Sequence, residues 1–176
     1  MIYQVENKVP KIHNSVFIAP GADIIGEVTI GENSSVWFHC TLRGDGFPVT
    51  IGNFSNIQDN SVIHVTTNKY PSIIEDYVTV GHNCVIHGAT LKSRSFVGIS
   101  ATVMDNVTVN EYGFVAAGAL VPPNFIVPAK TLVAGVPAKI IRPLKDEEIA
   151  MIDHVALDYA KRAAAYKSTL KQASGI

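Results

Sequence analysis

Three of the six histidines in this 176-residue chain, His64, His82 and His87, fall in one stretch that also holds most of its chemically versatile side chains. That stretch, Leu42 to His87, reads LRGDGFPVTIGNFSNIQDNSVIHVTTNKYPSIIEDYVTVGHNCVIH and adds Arg43, Asp45, Asn56, Gln58 and Asp59. Neutral imidazole is the commonest metal ligand, and three imidazoles can hold a divalent ion while leaving one coordination position open. Two histidines five residues apart and a third far upstream are weak support for such a site. The elements that carry them decide whether they meet.

Those elements follow a repeat of six. Aliphatic residues recur at Ile12, Ile18, Ile24, Ile30, Val36 and Leu42, resume after a jump of nine at Ile51, Ile57 and Ile63, and after a jump of eleven at Ile74, Val80 and Ile86. The count slips once to Leu91 and then runs through Val97, Val103, Val109, Val115, Val121, Val127 and Val133. Four residues after each aliphatic the side chain is small almost throughout, as at Ala22, Ser34, Cys40, Ser55, Ser61, Cys84, Ala101 and Ala119. A period of six is neither helical nor a simple strand alternation. It suits short strands joined by turns and wound as a three-sided coil, the aliphatic filling each interior corner and the small residue letting the chain bend. Successive coils then stack by parallel-strand hydrogen bonds about 4.8 Å apart. The two long jumps predict protruding loops near Gly46–Val49 and Val65–Ser72.

Assigning the corners in turn to columns one, two and three puts Ile63 and Ile86 in column three on consecutive coils. His64 and His87, each one residue further on, therefore stack about 4.8 Å apart and can share one ion. Arg43 occupies the same slot one coil earlier. His82 follows Val80 in column two, over Asp59 and beside Gln58, on another edge of the prism. One chain places the three histidines poorly for convergence. If a second copy abuts edge to edge, column two of one can meet column three of the next, and a cyclic trimer closes three equivalent contacts.

After the repeat, Pro122, Pro123, Pro128, Pro137 and Pro143 punctuate the last coil, and a helix is expected from about Asp146 to Lys171. Its stripe of Ile149, Ile152, Ala156, Tyr159, Ala163, Tyr166 and Leu170 should pack on a prism, its own or a neighbour's. This divides the chain into a β-helix domain, residues 1–143, and a C-terminal helical segment, residues 144–176. With 14 basic and 15 acidic residues, the charge favours neither nucleic acid nor an anionic membrane. The beginning lacks a basic and apolar leader, and no stretch reaches membrane-spanning length, so a cytoplasmic location is expected. Cys40 and Cys84 offer no disulfide framework; both sit in the small inward slot, and Cys84 reads as a buried filler rather than a thiolate ligand.

RGD at Arg43–Asp45, NIQD at Asn56–Asp59, VIH ending at His64 and VGHNCVIHG from Val80 to Gly88 resemble the signature of gamma-class carbonic anhydrases. The resemblance covers about residues 12 to 135 and implies a mainly β fold, the left-handed parallel β-helix of hexapeptide repeats with a C-terminal α-helix. It also implies a homotrimer whose metal, Zn2+ or alternatively Fe2+ or Co2+, is held by His64, His82 and His87, with His82 donated by the neighbour. Gln58, supported by Asn56, would act on the metal-bound water, and Tyr159 would face the pocket. An ion pair between Arg43 and Asp59 would cross the seam, with Asp45 structural or orienting. The implied activity is reversible hydration of carbon dioxide to bicarbonate by a metal-bound hydroxide. Gly46 stands where the family's prototype has a glutamate, so efficient proton transfer is in question, and Glu75 and Asp76 are the acids that follow the second loop. AGVPAKIIRPL at Ala134–Leu144 is also similar to a segment of coenzyme A-dependent acyltransferases. Acyl transfer, thioester hydrolysis at the same metal and a non-catalytic trimeric scaffold are therefore the alternatives.

Overall fold

The computed structural model describes residues 1–173. Nearly every aliphatic of the repeat closes a short strand, and the three columns pair as the spacing predicts. Column one runs Ile12, Ile30, Ile51, Ile74, Leu91, Val109, Val127. Column two runs Ile18, Val36, Ile57, Val80, Val97, Val115, Val133. Column three runs Ile24, Leu42, Ile63, Ile86, Val103, Val121. All pairings within the columns are parallel, and they build a β-solenoid of about seven turns. From Ile24 onward these side chains are buried almost completely. Each contributes about 1.5–3 kcal/mol by leaving water.

The bend comes slightly later than the spacing suggested. The aliphatic lies on the flat strand, and the third residue after it takes a left-handed φ, at Asn33, Asn60, Asn83, Asn106 and Asn124 among others. Asparagine tolerates that conformation; His39, Phe54, Tyr77 and Tyr112 adopt it too, where core burial and coil stacking offset the local cost. The small residue follows at once and tucks inside. Ser61 shows how its polar atom is satisfied there, since its hydroxyl donates to the Gly81 carbonyl at 2.9 Å and accepts from the Cys84 amide at 3.0 Å.

The two insertions are absorbed differently. Gly46–Val49 does not leave the sheet: Thr41–Ile51 is one continuous strand, and the extra residues bulge opposite Gly26–Val28. Residues 65–71 form a small loop closed by a bridge between Thr66 and Tyr70. At the far end the chain turns back as an antiparallel hairpin, Thr131–Gly135 with Ala138–Pro143, which the repeat did not announce. Such an antiparallel return ends the parallel stack on its column-two side.

The helix, Asp146–Thr169, runs back along its own prism, ending two residues before the expected limit. Ile152, Ala156 and Ala163 are its buried residues, and it packs on the column-two strands. Trp37 is the centre of that contact, with Phe17, Tyr159 and Tyr166 edge-on at ring-centroid distances of 5.3, 5.3 and 5.1 Å. Asp153 ties the helix to the coils through Arg94 and through the Tyr112 hydroxyl at 3.2 Å. The Leu170 end of the stripe stays exposed, and the final three residues of the C-terminal segment lie outside the described ones. No described helix is long and apolar enough to cross a membrane.

Because each column aliphatic in the middle of the stack touches coils above and below, a cavity there cannot collapse easily. Ile57→Ala is expected to cost about 2–5 kcal/mol of unfolding free energy, measured by urea denaturation; a loss below about 1 kcal/mol would mean that the column is loosely packed.

Candidate metal centre

Strand register sets the first half of the site. His64 and His87 end paired strands, Val62–His64 and Val85–His87, and are direct partners. His64 Nδ1 lies 3.2 Å from His87 Nε2. The outer nitrogens are held by carboxylates: His64 Nε2 is 3.1 Å from Asp45 Oδ1, and His87 Nδ1 is 2.8 Å from Asp105 Oδ1. A carboxylate on one ring nitrogen places the proton there and leaves a lone pair on the other. The two facing nitrogens are thus both acceptors, an arrangement that a cation between them relieves. At a separation of 3.2 Å the two lone pairs are close enough that both rings could hold one divalent ion. The pair fits a divalent metal.

Electrostatics favour a neutral His64 ring. Burial pushes the His64 pKa below its ordinary value, and the Arg43 guanidinium and His87 act in the same direction against the pull of Asp45. Burial would raise the Asp45 carboxyl, but hydrogen bonds from Arg43, at 2.5 Å, and from His64 outweigh it and hold its pKa at about 2. Asp45 also accepts from the Gly46 amide at 2.9 Å. A groove of about 350 Å³ opens beside these residues, lined by Val5, Glu6, Arg43, Asp45, Gly46, His64 and Thr67.

The second half lies on another edge. His82 occupies the turn after the column-two strand Thr79–Val80, and its Nδ1 sits 2.9 Å from Asp59 Oδ2, which leaves Nε2 free on a side chain 42% exposed. Asn56 and Gln58, both buried, belong to the coil below. Gln58 donates to Asn56 Oδ1 at 3.0 Å, and Asn56 donates to Thr79 Oγ1 at 2.9 Å. Tyr159 reaches this edge from the helix; burial, and next the charge of Asp59, raise its hydroxyl's pKa.

The nine residues singled out by sequence therefore form two groups: Arg43, Asp45, His64 and His87 on column three, and Asn56, Gln58, Asp59, His82 and Tyr159 by column two. Among the described residues no side-chain hydrogen bond or ion pair joins them, and one chain gathers no set of three or more His, Cys, Asp or Glu donors. Within the chain Arg43 pairs with Asp45, and Asp59 with His82. Asp105 escaped the sequence reading, although its place one coil beyond His87 was a usable signal. Glu75 is turned away, bound by Lys92 at 2.8 Å and by the Ser93 amide at 2.9 Å. Gly46 has a steric explanation: a Cβ there would collide with Thr67 of the second loop, so this loop occupies the space that a side chain at 46 would need.

Residues 10–44 match the family described as bacterial transferase hexapeptide (six repeats). Over 172 residues the chain is 41% identical to the carbonic anhydrase of Geobacillus kaustophilus, covering 98% of this chain and 94% of that one. It is 44% identical over 170 residues to gamma carbonic anhydrase 1, mitochondrial, of Arabidopsis thaliana, covering 94% of this chain but only 62% of that relative's length. The chain belongs to the gamma carbonic anhydrase family. A crystal structure of a hexapeptide transferase family protein from Anaplasma phagocytophilum superposes with a TM-score of 0.90 at 37% identity, covering 94% of this chain and 97% of that one.

In the family motif VGHNCVIHG, Cys84 lies between two of the histidines, yet its side chain points inward and reaches the Gly98 carbonyl at 3.1 Å. Burial raises its pKa, and that of Cys40, to about 11. At pH 8 the thiolate fraction of each is then about one in a thousand. In the folded protein neither cysteine should react with a disulfide reagent at pH 8 on the minute scale, whereas both should react in denaturant; rapid labelling of the native protein would return Cys84 to consideration as a ligand.

Proposed function

We propose that this protein catalyses the metal-dependent, reversible hydration of carbon dioxide to bicarbonate at the seams of a homotrimer. The observation that carries this reading is the division of the site: two histidines with facing lone pairs on one edge, and a third with a free Nε2 on another. With column three of one protomer against column two of the next, His64 and His87 of the first and His82 of the second would hold one divalent ion. Around a threefold axis this gives three equivalent sites. When bound, the ion supplies hydroxide at neutral pH by acidifying water from a pKa of 15.7 toward about 7. The donors suit Zn2+, Fe2+ or Co2+. Kinship with proteins named carbonic anhydrases supports the substrate.

The remaining residues have work that their geometry suits. Gln58 spends one amide hydrogen on Asn56 and keeps its carbonyl oxygen and second hydrogen for water or bicarbonate. Asn56, fixed by Thr79, holds Gln58 in that orientation. The raised pKa of Tyr159 keeps its hydroxyl protonated and able to donate. Arg43 and Asp59 lie on the edges that meet, where an ion pair between protomers would fix the relative height of the two chains, while Asp45 orients His64.

Hydration releases a proton, CO2 + H2O giving HCO3⁻ + H⁺, and that proton must leave. Asp45, with a pKa of about 2, is too weak a base to take it at neutral pH. Glu6, in the tight hairpin closed by a bridge between Val5 and Lys8, is the other carboxylate of the groove beside His64, and it offers the exit that Gly46 does not. Lys8 seats this hairpin by donating to the Asp45 carbonyl.

Purified protein is expected to carry one divalent ion per chain, to sediment as a trimer and to hydrate carbon dioxide in stopped flow, with iron samples kept anaerobic. His82→Ala should lose the metal and weaken the trimer. A metal-loaded wild type that acylates an acceptor or hydrolyses a coenzyme A thioester, without hydrating carbon dioxide, would transfer the assignment to acyl chemistry; inactivity in all three assays would leave a scaffold. Glu6→Gln should lower kcat several-fold in weak buffer, recover with added imidazole and leave kcat/KM unchanged, and an unchanged kcat would exclude this exit.

A further inference from the structure

The proposed metal site rests on histidines, but one of them depends on a residue outside the RGD, NIQD and VGHNCVIHG segments. We infer that Asp105, with Thr66 and Gly88, forms a clamp that fixes the ring and tautomer of His87, making Asp105 a positioning residue for metal binding. The inference deepens the metal reading and rests on it. Asp105 Oδ1 lies 2.8 Å from His87 Nδ1 and accepts the Thr66 hydroxyl at 2.9 Å. One oxygen thus takes two hydrogens, from the ligand ring and from the loop that follows His64.

The fold provides for this contact. Asp105 arrives from the coil beyond His87, because Val103 stacks on Ile86 and the chain turns two residues later. Gly88, with φ +57°, leaves the passage open: a Cβ at that position would stand 2.5 Å from Asp105 Oδ1 and 2.9 Å from the Tyr70 Cβ. Any side chain at 88 would press on both the carboxylate and the loop. The loop is fixed from beneath as well, since Ser72 donates to the His64 carbonyl at 2.5 Å and accepts from the Gly88 amide at 3.0 Å. The proton on His87 Nδ1 is therefore held on the side away from His64, and Nε2 keeps its lone pair toward the ion position.

Outer carboxylates of this kind typically change metal affinity by about 10- to 100-fold when removed. Asp105→Ala should weaken Co2+ binding by that factor, and Asp105→Asn, which retains an acceptor oxygen without the charge, by less. Thr66→Val, which keeps the carboxylate, should fall nearest wild type. In metal-free protein, 15N chemical shifts should show the Nδ1–H tautomer of His87 in wild type and a mixture of tautomers in Asp105→Ala. Unfolding midpoints and sedimentation of the metal-free variants separate the clamp from mere support of the loop. If Asp105→Ala binds Co2+ like wild type, or if the His87 tautomer is the same in both, the clamp is wrong while the metal site stands. If wild type binds no Co2+, the metal reading falls, and the tautomer comparison, which needs no metal, still decides whether Asp105 fixes His87. Should Asp105→Ala fail to fold, the same two measurements on Asp105→Ser, whose short side chain withdraws the carboxylate from the ring, decide the matter: reduced Co2+ affinity with a disturbed tautomer upholds the clamp, and a wild-type value for either overturns it.

Discussion

Parallel stacking of the coils is the constraint from which the rest follows. Once Ile63 pairs with Ile86, the residues after them have no freedom to separate, and two imidazoles must face each other on consecutive strands. The stacking is enforced by burial, because a slip of one residue would turn every column aliphatic outward. A chain with these core residues can place His64 and His87 in few other ways. The same constraint keeps His82 away. It belongs to column two, and a close-packed interior does not bend to bring two edges of a prism together.

The fold was legible because its signal is a simple one, an aliphatic every six residues with a small residue four later. The pairing of His64 with His87 followed by counting, and so did the separation of His82. What escaped has identifiable causes. Asp105 meets His87 only after the slip at Leu91, which puts Met104 level with His87 and lets the turn bring the following carboxylate back. Arg43 stacks before His64 in register, yet its guanidinium turns to Asp45 because Thr41–Ile51 continues past it as one bulged strand. The terminal hairpin lies where the period stops, so the repeat carries no information about it. Counting also could not tell which prism the helix covers, whereas the aromatic contacts of Trp37 with Tyr159 and Tyr166 assign it to its own.

Each of the three histidines has an aspartate against one ring nitrogen: Asp45 for His64, Asp59 for His82 and Asp105 for His87. Each carboxylate leaves its ring one lone pair, and in the first two cases it also answers other groups on the same edge. Asp45 binds Arg43, and Asp59 raises the pKa of the Tyr159 hydroxyl after burial has done so. Asp105 instead binds Thr66, so the His87 ring is coupled to the loop that also excludes a side chain at Gly46. The loop thereby shapes the His87 ring and the groove beside His64 together, which makes the departure at Gly46 part of a different local packing rather than a simple deletion of a glutamate.

In the proposed assembly, a site divided between rigid edges makes metal binding and association one process. A protomer alone presents two nitrogens 3.2 Å apart, enough to hold an ion weakly, and the third must come from outside because no hinge within the solenoid can supply it. Binding energy gained at the third ligand is then also energy of assembly, by the reciprocity that links any two coupled equilibria. Stacking fixes the height of His64, His87 and His82 along each prism to within the strand spacing. Two copies need only slide to matching height for the ligands to coincide, and a charge pair between Arg43 and Asp59 would resist any other offset. The rigidity that prevents one chain from completing its own site is therefore the property that lets several chains complete it accurately.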